Sequence, residues 1–179
     1  MSSRFAALRE RYKTSTVFRW AVDLSVVITL LVGIGLYQTR NHPRGRAPDY
    51  AFTTLENGAP KSFASFAGKP TVVAIWAPWC GVCKAESDNL SRANRWLGNR
   101  ANVISVATQF GGDLSQVRAY VQNQHVDYPV LIANDDFANV MHVNAFPTLF
   151  VLDSNGNIVS SVEGYTTTLG VLWRAWWAG

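Results

Sequence analysis

From Trp20 to Tyr37 the chain is apolar at almost every position, WAVDLSVVITLLVGIGLY, with Asp23 its one charge. A helix of that length rises roughly 27 Å, close to the hydrocarbon thickness of a bilayer. Trp20 and Tyr37 stand at its two ends, where amphipathic rings favour the headgroup level. The pattern then changes. Residues 38–49 (QTRNHPRGRAPD) are polar, hold two prolines and show no period, so they read as a linker. Residues 50–63 read as a hairpin turning at Asn57-Gly58. Thr71–Ala77 (TVVAIWA) and Asn102–Ala107 (NVISVA) are apolar runs rich in β-branched residues, the pattern of strands covered on both faces.

Between those strands, Leu90, Ala93 and Leu97 recur at helical spacing, so Cys80–Leu97 is expected to be a helix with Gly98 as its C-terminal stop. Asp113 precedes a second apolar stripe, Leu114, Val117 and Val121, with Gln116 placed to complete a cap. Thr148–Leu152 and Ile158–Val162 flank Asn155-Gly156, a hairpin signal. A closing helix begins near Thr167, with Leu169, Leu172, Trp173 and Trp176 on one face. Helical spacing makes the tryptophans of this ending core or edge packing; a membrane-facing patch at Trp173, Trp176 and Trp177 is the other reading. The order predicts an α/β fold, a central mixed β-sheet flanked by helices on both faces, with an N-terminal β-hairpin extension. The expected domains are a cytoplasmic basic segment (1–19), a transmembrane anchor (20–37), a linker (38–49) and a folded domain (50–179).

Charge sharpens this division. Residues 1–46 hold eight basic and two acidic residues, whereas residues 47–179 hold eight basic and ten acidic ones. A nucleic-acid-binding domain carries its excess Lys and Arg on the folded part; here it lies with the N-terminal segment, which disfavours that class. Five basic residues precede the apolar run and three follow it, predicting a cytoplasmic N-terminus with the folded domain on the far side of the membrane. A cleaved signal peptide would have a shorter apolar stretch and a small-x-small site after it, and none follows. Asp23, near the cytoplasmic end of the run, reads as a side chain that reaches the interface or is protonated, rather than the mark of a proton path or a partner helix.

The only two cysteines lie three positions apart, in Trp76-Ala77-Pro78-Trp79-Cys80-Gly81-Val82-Cys83-Lys84. A strand ends and a helix begins within this stretch, so Cys80 falls at a helix N-terminus. Unpaired amide groups and the helix dipole there favour an anion, and the thiolate is the attacking form of cysteine. Cys83 follows one turn later on the same face, placed to close a disulfide ring or resolve a mixed disulfide. Glu86, three residues further, is either an exposed helix residue or a carrier for the proton of the second thiol. A structural zinc site needs about four ligands, and two thiols do not supply them. His42, His125 and His142 are scattered and read as surface or loop residues. Haem attachment needs a histidine directly after the second cysteine, where this chain has Lys84. Redox exchange remains. Phe146-Pro147 opens an apolar strand, a place where proline is tolerated at the first residue or as a cis bond.

The stretches Trp76–Cys83 and Phe146–Leu152 together resemble the thioredoxin superfamily, over roughly residues 48–179. Within it the chain is similar to the membrane-tethered TlpA/ResA-like branch, which carries a glutamate three residues after the second cysteine, here Glu86. The ending Gly164–Ala178 most resembles the suppressor-of-copper-sensitivity protein D group. The resemblance implies a redox-active disulfide Cys80–Cys83, a cis-proline at Pro147 packed against it, Trp79 shielding it, and Trp79, Phe146 and Pro147 contacting substrate. Ala74 stands where thioredoxin has a buried aspartate, so that proton route is absent, and Gly-Val replaces Gly-Pro between the cysteines.

The expected activity is protein thiol–disulfide exchange with no small cofactor and no metal, the reductase direction being favoured by the branch. Expected partners are protein thiol or disulfide substrates and a membrane redox protein. A periplasmic Cu(I)-binding module on the same thiols is the alternative, since soft thiolates suit Cu(I). A peroxidase is disfavoured, because Trp76–Trp79 lacks the threonine such enzymes place before their attacking cysteine.

Overall fold

The computed structural model describes Tyr12 and residues 15–179, in two units that divide after Arg40. Most of the basic segment 1–19 therefore lies outside the described residues. In the first unit, helix α1 (Thr16–Gln38) starts where the Ser15 side chain accepts from the Phe18 amide. Its window of mean hydropathy 2.0 is long and apolar enough to cross a membrane, and none of it is buried by protein. Asp23 accepts a hydrogen bond of 2.8 Å from the Tyr12 hydroxyl.

The second unit, Asn41–Gly179, is built on one eight-stranded sheet. Its strands are β1 (Gly45–Arg46), β2 (Phe52–Thr54), β3 (Pro60–Lys61), β4 (Thr71–Trp76), β5 (Asn102–Ala107), β6 (Val130–Ile132), β7 (Thr148–Leu152) and β8 (Asn157–Glu163). Across the sheet they run β1-β8-β7-β4-β5-β6-β2-β3. β4, β5 and β6 are parallel, while β7, β8 and β1 on one side and β2 and β3 on the other are antiparallel. The mixed sheet follows from the chain: parallel neighbours need a helical crossover, and antiparallel ones need only a turn. Such crossovers are α2 (Gly81–Leu97) between β4 and β5, and α3 (Leu114–Asn123) between β5 and β6. Short α4 (Phe137–Val140) and α5 (Thr168–Trp177) complete the helices.

Every residue of β4 is buried, and its side chains alternate between two cores. Val72 and Ala74 join Leu90, Ala93 and Leu97 of α2 with Val171 and Ala175 of α5. Val73 and Ile75 join Phe52, Phe63, Phe137 and Met141 on the other face. Helices thus cover both faces. The predicted hairpin is present, with Phe52 opposite Lys61 and Gly58 at positive φ, a conformation glycine adopts without a steric penalty.

Three features differ from the sequence reading. Residues 38–49 read as linker, yet Gly45 and Arg46 pair with Ile158 and Asn157 at the sheet edge. Two-residue strands have no periodicity to detect, so the polar composition dominated. His42, expected on the surface, is 4% exposed; its ring lies 5.1 Å from that of Phe150 and its Nε2 is 3.0 Å from Glu163 Oε1. A distant carboxylate makes that burial tolerable. Finally, the face of α5 that packs is Val171 and Ala175, while Trp173, Trp176 and Trp177 are 58%, 69% and 72% exposed. Small residues let α5 approach α2 and the sheet closely; indole rings on that side would hold it off. β6 and α4 were also absent from the sequence reading, being three and four residues long.

Candidate active site

β4 ends at Trp76, and a tight connection brings the Cys80 amide back to the Ala77 carbonyl at 3.0 Å. Cys80 is the N-cap of α2: its backbone is extended and its Sγ accepts from the Cys83 amide at 3.1 Å. The sulfur therefore sits among the unpaired amides at the start of a seventeen-residue helix. Cys80 and Cys83 are joined as a disulfide (S–S 2.10 Å, Cα–Cα 5.3 Å), and both are buried. Trp76, Ala107, Val117, Tyr120 and Val130 form the apolar cluster around them.

The Phe146–Pro147 peptide bond is cis. Pro147 is buried at the start of β7, and half-buried Phe146 packs against the cluster that holds the two cysteines. Trp79 lies largely outside. Its indole donates to the Gln109 carbonyl at 3.1 Å, and its ring meets that of Phe146 edge-on at 5.7 Å. The structure thus brings Cys80, Cys83, Trp79 and Phe146 to one end of the sheet, the C-terminal end of β4.

Glu86 is 1% exposed, one turn beyond Cys83 on α2. Of the two readings left open for it, the exposed one is excluded. Its Oε1 accepts the Thr166 amide at 2.8 Å. Burial pushes its carboxyl up to about 7, against the opposing pull of the Thr166 hydrogen bonds. At neutral pH such a group exchanges a proton readily in either direction, a property an exposed glutamate lacks.

Sequence reasoning missed the residues that set this environment. Thr166 lies eighty positions from Glu86, and no local pattern connects them. The loop that carries it is fastened to α2 by Asn89, whose side chain donates to the Tyr165 hydroxyl at 2.8 Å and the Thr166 carbonyl at 3.0 Å. Tyr120 stacks on Trp76 at 3.9 Å and shares a 2.6 Å hydrogen bond with Ser87; burial raises its hydroxyl to about 12. Tyr120 was in principle findable, since it follows Val117 at helical spacing. The loop after β5 is held by Asp135, which accepts from the amides of Phe110 and Gly111.

Comparison with known proteins agrees with this geometry. The sequence matches the Redoxin family over residues 43–169. Thioredoxin-like protein YneN of Bacillus subtilis is 27% identical over 148 residues, covering 78% of this chain and 86% of that one. Thiol-disulfide oxidoreductase ResA of Geobacillus kaustophilus is 25% identical over 158 residues, covering 83% and 90%. Among solved structures, a thiol:disulfide interchange protein of the thioredoxin family from Chlorobium tepidum has a TM-score of 0.65 at 24% identity, covering 77% of this chain and 98% of that one. The MTB dsbF structure, in mixed oxidized and reduced forms, has a TM-score of 0.66 at 22% identity, covering 73% and 96%. At these identities the structural likenesses speak for the fold.

Proposed function

This chain belongs to the Redoxin family, within the thioredoxin superfamily, and from that premise we propose how its thiol–disulfide oxidoreductase site works, on which side of the membrane, and in which direction. The observation that carries the reading is the position of Cys80, whose sulfur caps α2 and already accepts an amide hydrogen bond. In the reduced protein the same amides stabilise a Cys80 thiolate, the nucleophile of exchange.

The thiolate attacks one sulfur of a partner disulfide. A Cys80–partner S–S bond forms, and the partner's second sulfur leaves as a thiolate that takes up a proton. Cys83 then loses its proton to Glu86 and attacks the Cys80 sulfur. The Cys80–Cys83 bond forms, the reduced partner leaves, and two electrons have passed to it. The buried carboxyl suits this task because its proton affinity lies near neutrality. A dithiol protein partner must reduce the chain again to close the cycle. Phe146, Pro147 and Trp79 form the rim on which the partner's extended segment lies, next to the sulfurs.

Helix α1 serves as a single anchor with its N-terminus in the cytoplasm, so the domain acts in the periplasm as a reductase fed through the membrane. The expected domain division above is part of the same proposal.

In full-length protein, Cys80→Ser abolishes reduction of insulin disulfides while circular dichroism stays native; retained exchange would overturn the assignment. A potential near −270 mV for the Cys80–Cys83 couple marks a reductase, and one near −120 mV an oxidase. The Cu(I) alternative uses the same thiols. Titration of the reduced chain with Cu(I), beside the insulin assay, separates the two.

A further inference from the structure

The outer side of α5 carries three exposed indoles, with ring centroids 5.3 Å apart for Trp173 and Trp176 and 6.1 Å for Trp173 and Trp177. Trp173 and Trp177 also line a groove of about 330 Å³ against Val159, itself an exposed apolar residue of β8. A contiguous exposed patch of this kind on a water-soluble domain marks an interaction surface. Indole is apolar over its ring yet donates from its N–H, which is why tryptophan collects where hydrocarbon meets water.

The position of the patch in the fold says what it meets. β8, which supplies Val159, is hydrogen-bonded to β1, the first strand after the apolar helix. Residues 39–44 are all the chain between that helix and β1, and six extended residues reach at most about 20 Å. The tryptophan face therefore adjoins the sheet edge at which the chain arrives from its anchor. That edge also exposes Arg44 and Arg46, cations suited to anionic headgroups.

We propose that the face formed by Trp173, Trp176, Trp177 and Val159, flanked by Arg44 and Arg46, seats in the headgroup region of the bilayer that α1 spans. The inference rests on the anchor reading of α1 and goes beyond it. Tethering alone leaves the domain free to tumble, whereas a seated α5 fixes which way the Cys80 end of the sheet points. The tether makes the contact effectively intramolecular, so a modest affinity of the indoles suffices.

The test uses the full chain labelled with 5-fluorotryptophan, in nanodiscs of phosphatidylcholine and phosphatidylglycerol with or without a headgroup nitroxide lipid. The seven tryptophans give separate fluorine lines, assigned by single Trp→Phe replacements. Trp20 reports the anchor, and Trp79, exposed beside the cysteines, reports free solvent. The expected result is severalfold nitroxide broadening of Trp173, Trp176 and Trp177 together with Trp20, and none of Trp79. Broadening of Trp20 with the three others unaffected overturns the seat and leaves the anchor standing. A chain that fails to co-purify with the discs, with Trp20 unbroadened, removes both. If the three lines instead shift with protein concentration in micelles, a second copy covers the face and the lipid seat is overturned.

Discussion

Helices α2 and α5 lie on the same face of the sheet and share one core, yet their sequences predict that core with opposite success. In α2 the apolar stripe that recurs at helical spacing is the buried one, Leu90 and Leu97 with Ala93 between them, while Trp96 is exposed. In α5 the largest apolar residues are exposed, and the packing positions are Val171 and Ala175. The difference teaches that helical period finds a stripe, but size decides whether that stripe can be the inner one. α5 has to fit closely against both α2 and the sheet, so its inner side is made of small residues and its indoles face out.

The comparison has measurable consequences. Leu90→Ala should destabilise the oxidised protein most, by about 2–5 kcal/mol in urea denaturation, because a buried leucine leaves a cavity when truncated. Next comes Glu86→Gln, which tests the polar exception on the inner side of α2. Burial raises the Glu86 carboxyl from 4.5 to about 7, so the folded chain holds that proton more tightly than the unfolded one. The resulting stability is complete below about pH 4.5 and is lost as pH rises through 7. That shift corresponds to about 3 kcal/mol. The Gln variant should therefore exceed wild type in stability at pH 8 by up to that amount and equal it near pH 4. Its insulin reduction should slow most where wild-type Glu86 is ionised. Overfilling the inner side of α5 by Ala175→Leu should cost about 1–3 kcal/mol. Smallest of all, Trp177→Ser should change stability by no more than about 0.5 kcal/mol. A cost for Trp177→Ser equal to that of Leu90→Ala would erase the contrast between the helices.

The same contrast explains what could be read from the chain alone. Long elements with many repeats of one pattern were legible: α1, β4, β5, α2 and β7 lie within a residue or a few of their expected bounds. So was the cysteine pair, because its chemistry is local to one strand-to-helix turn. What was not legible depends on contacts made far along the chain. His42 is buried because Glu163 meets it, 121 positions away. Glu86 sits buried, and its carboxylate's partner outside α2 is an amide eighty residues on, whose bond opposes the rise that burial causes. Periodicity carries no record of such partners, and a polar residue read without its partner defaults to the surface.

Glu163 answers to two masters. Its Oε1 accepts from His42 at 3.0 Å and from the Asn144 amide at 3.3 Å, three residues before the cis-proline. The segment before β1 is thereby riveted to the loop that leads into the cis-proline and β7. Excision of a soluble fragment at residue 50, where composition invites the cut, would strip β8 of its neighbour and leave that carboxylate half served. A faithful soluble surrogate has to keep the chain from Asn41 onward.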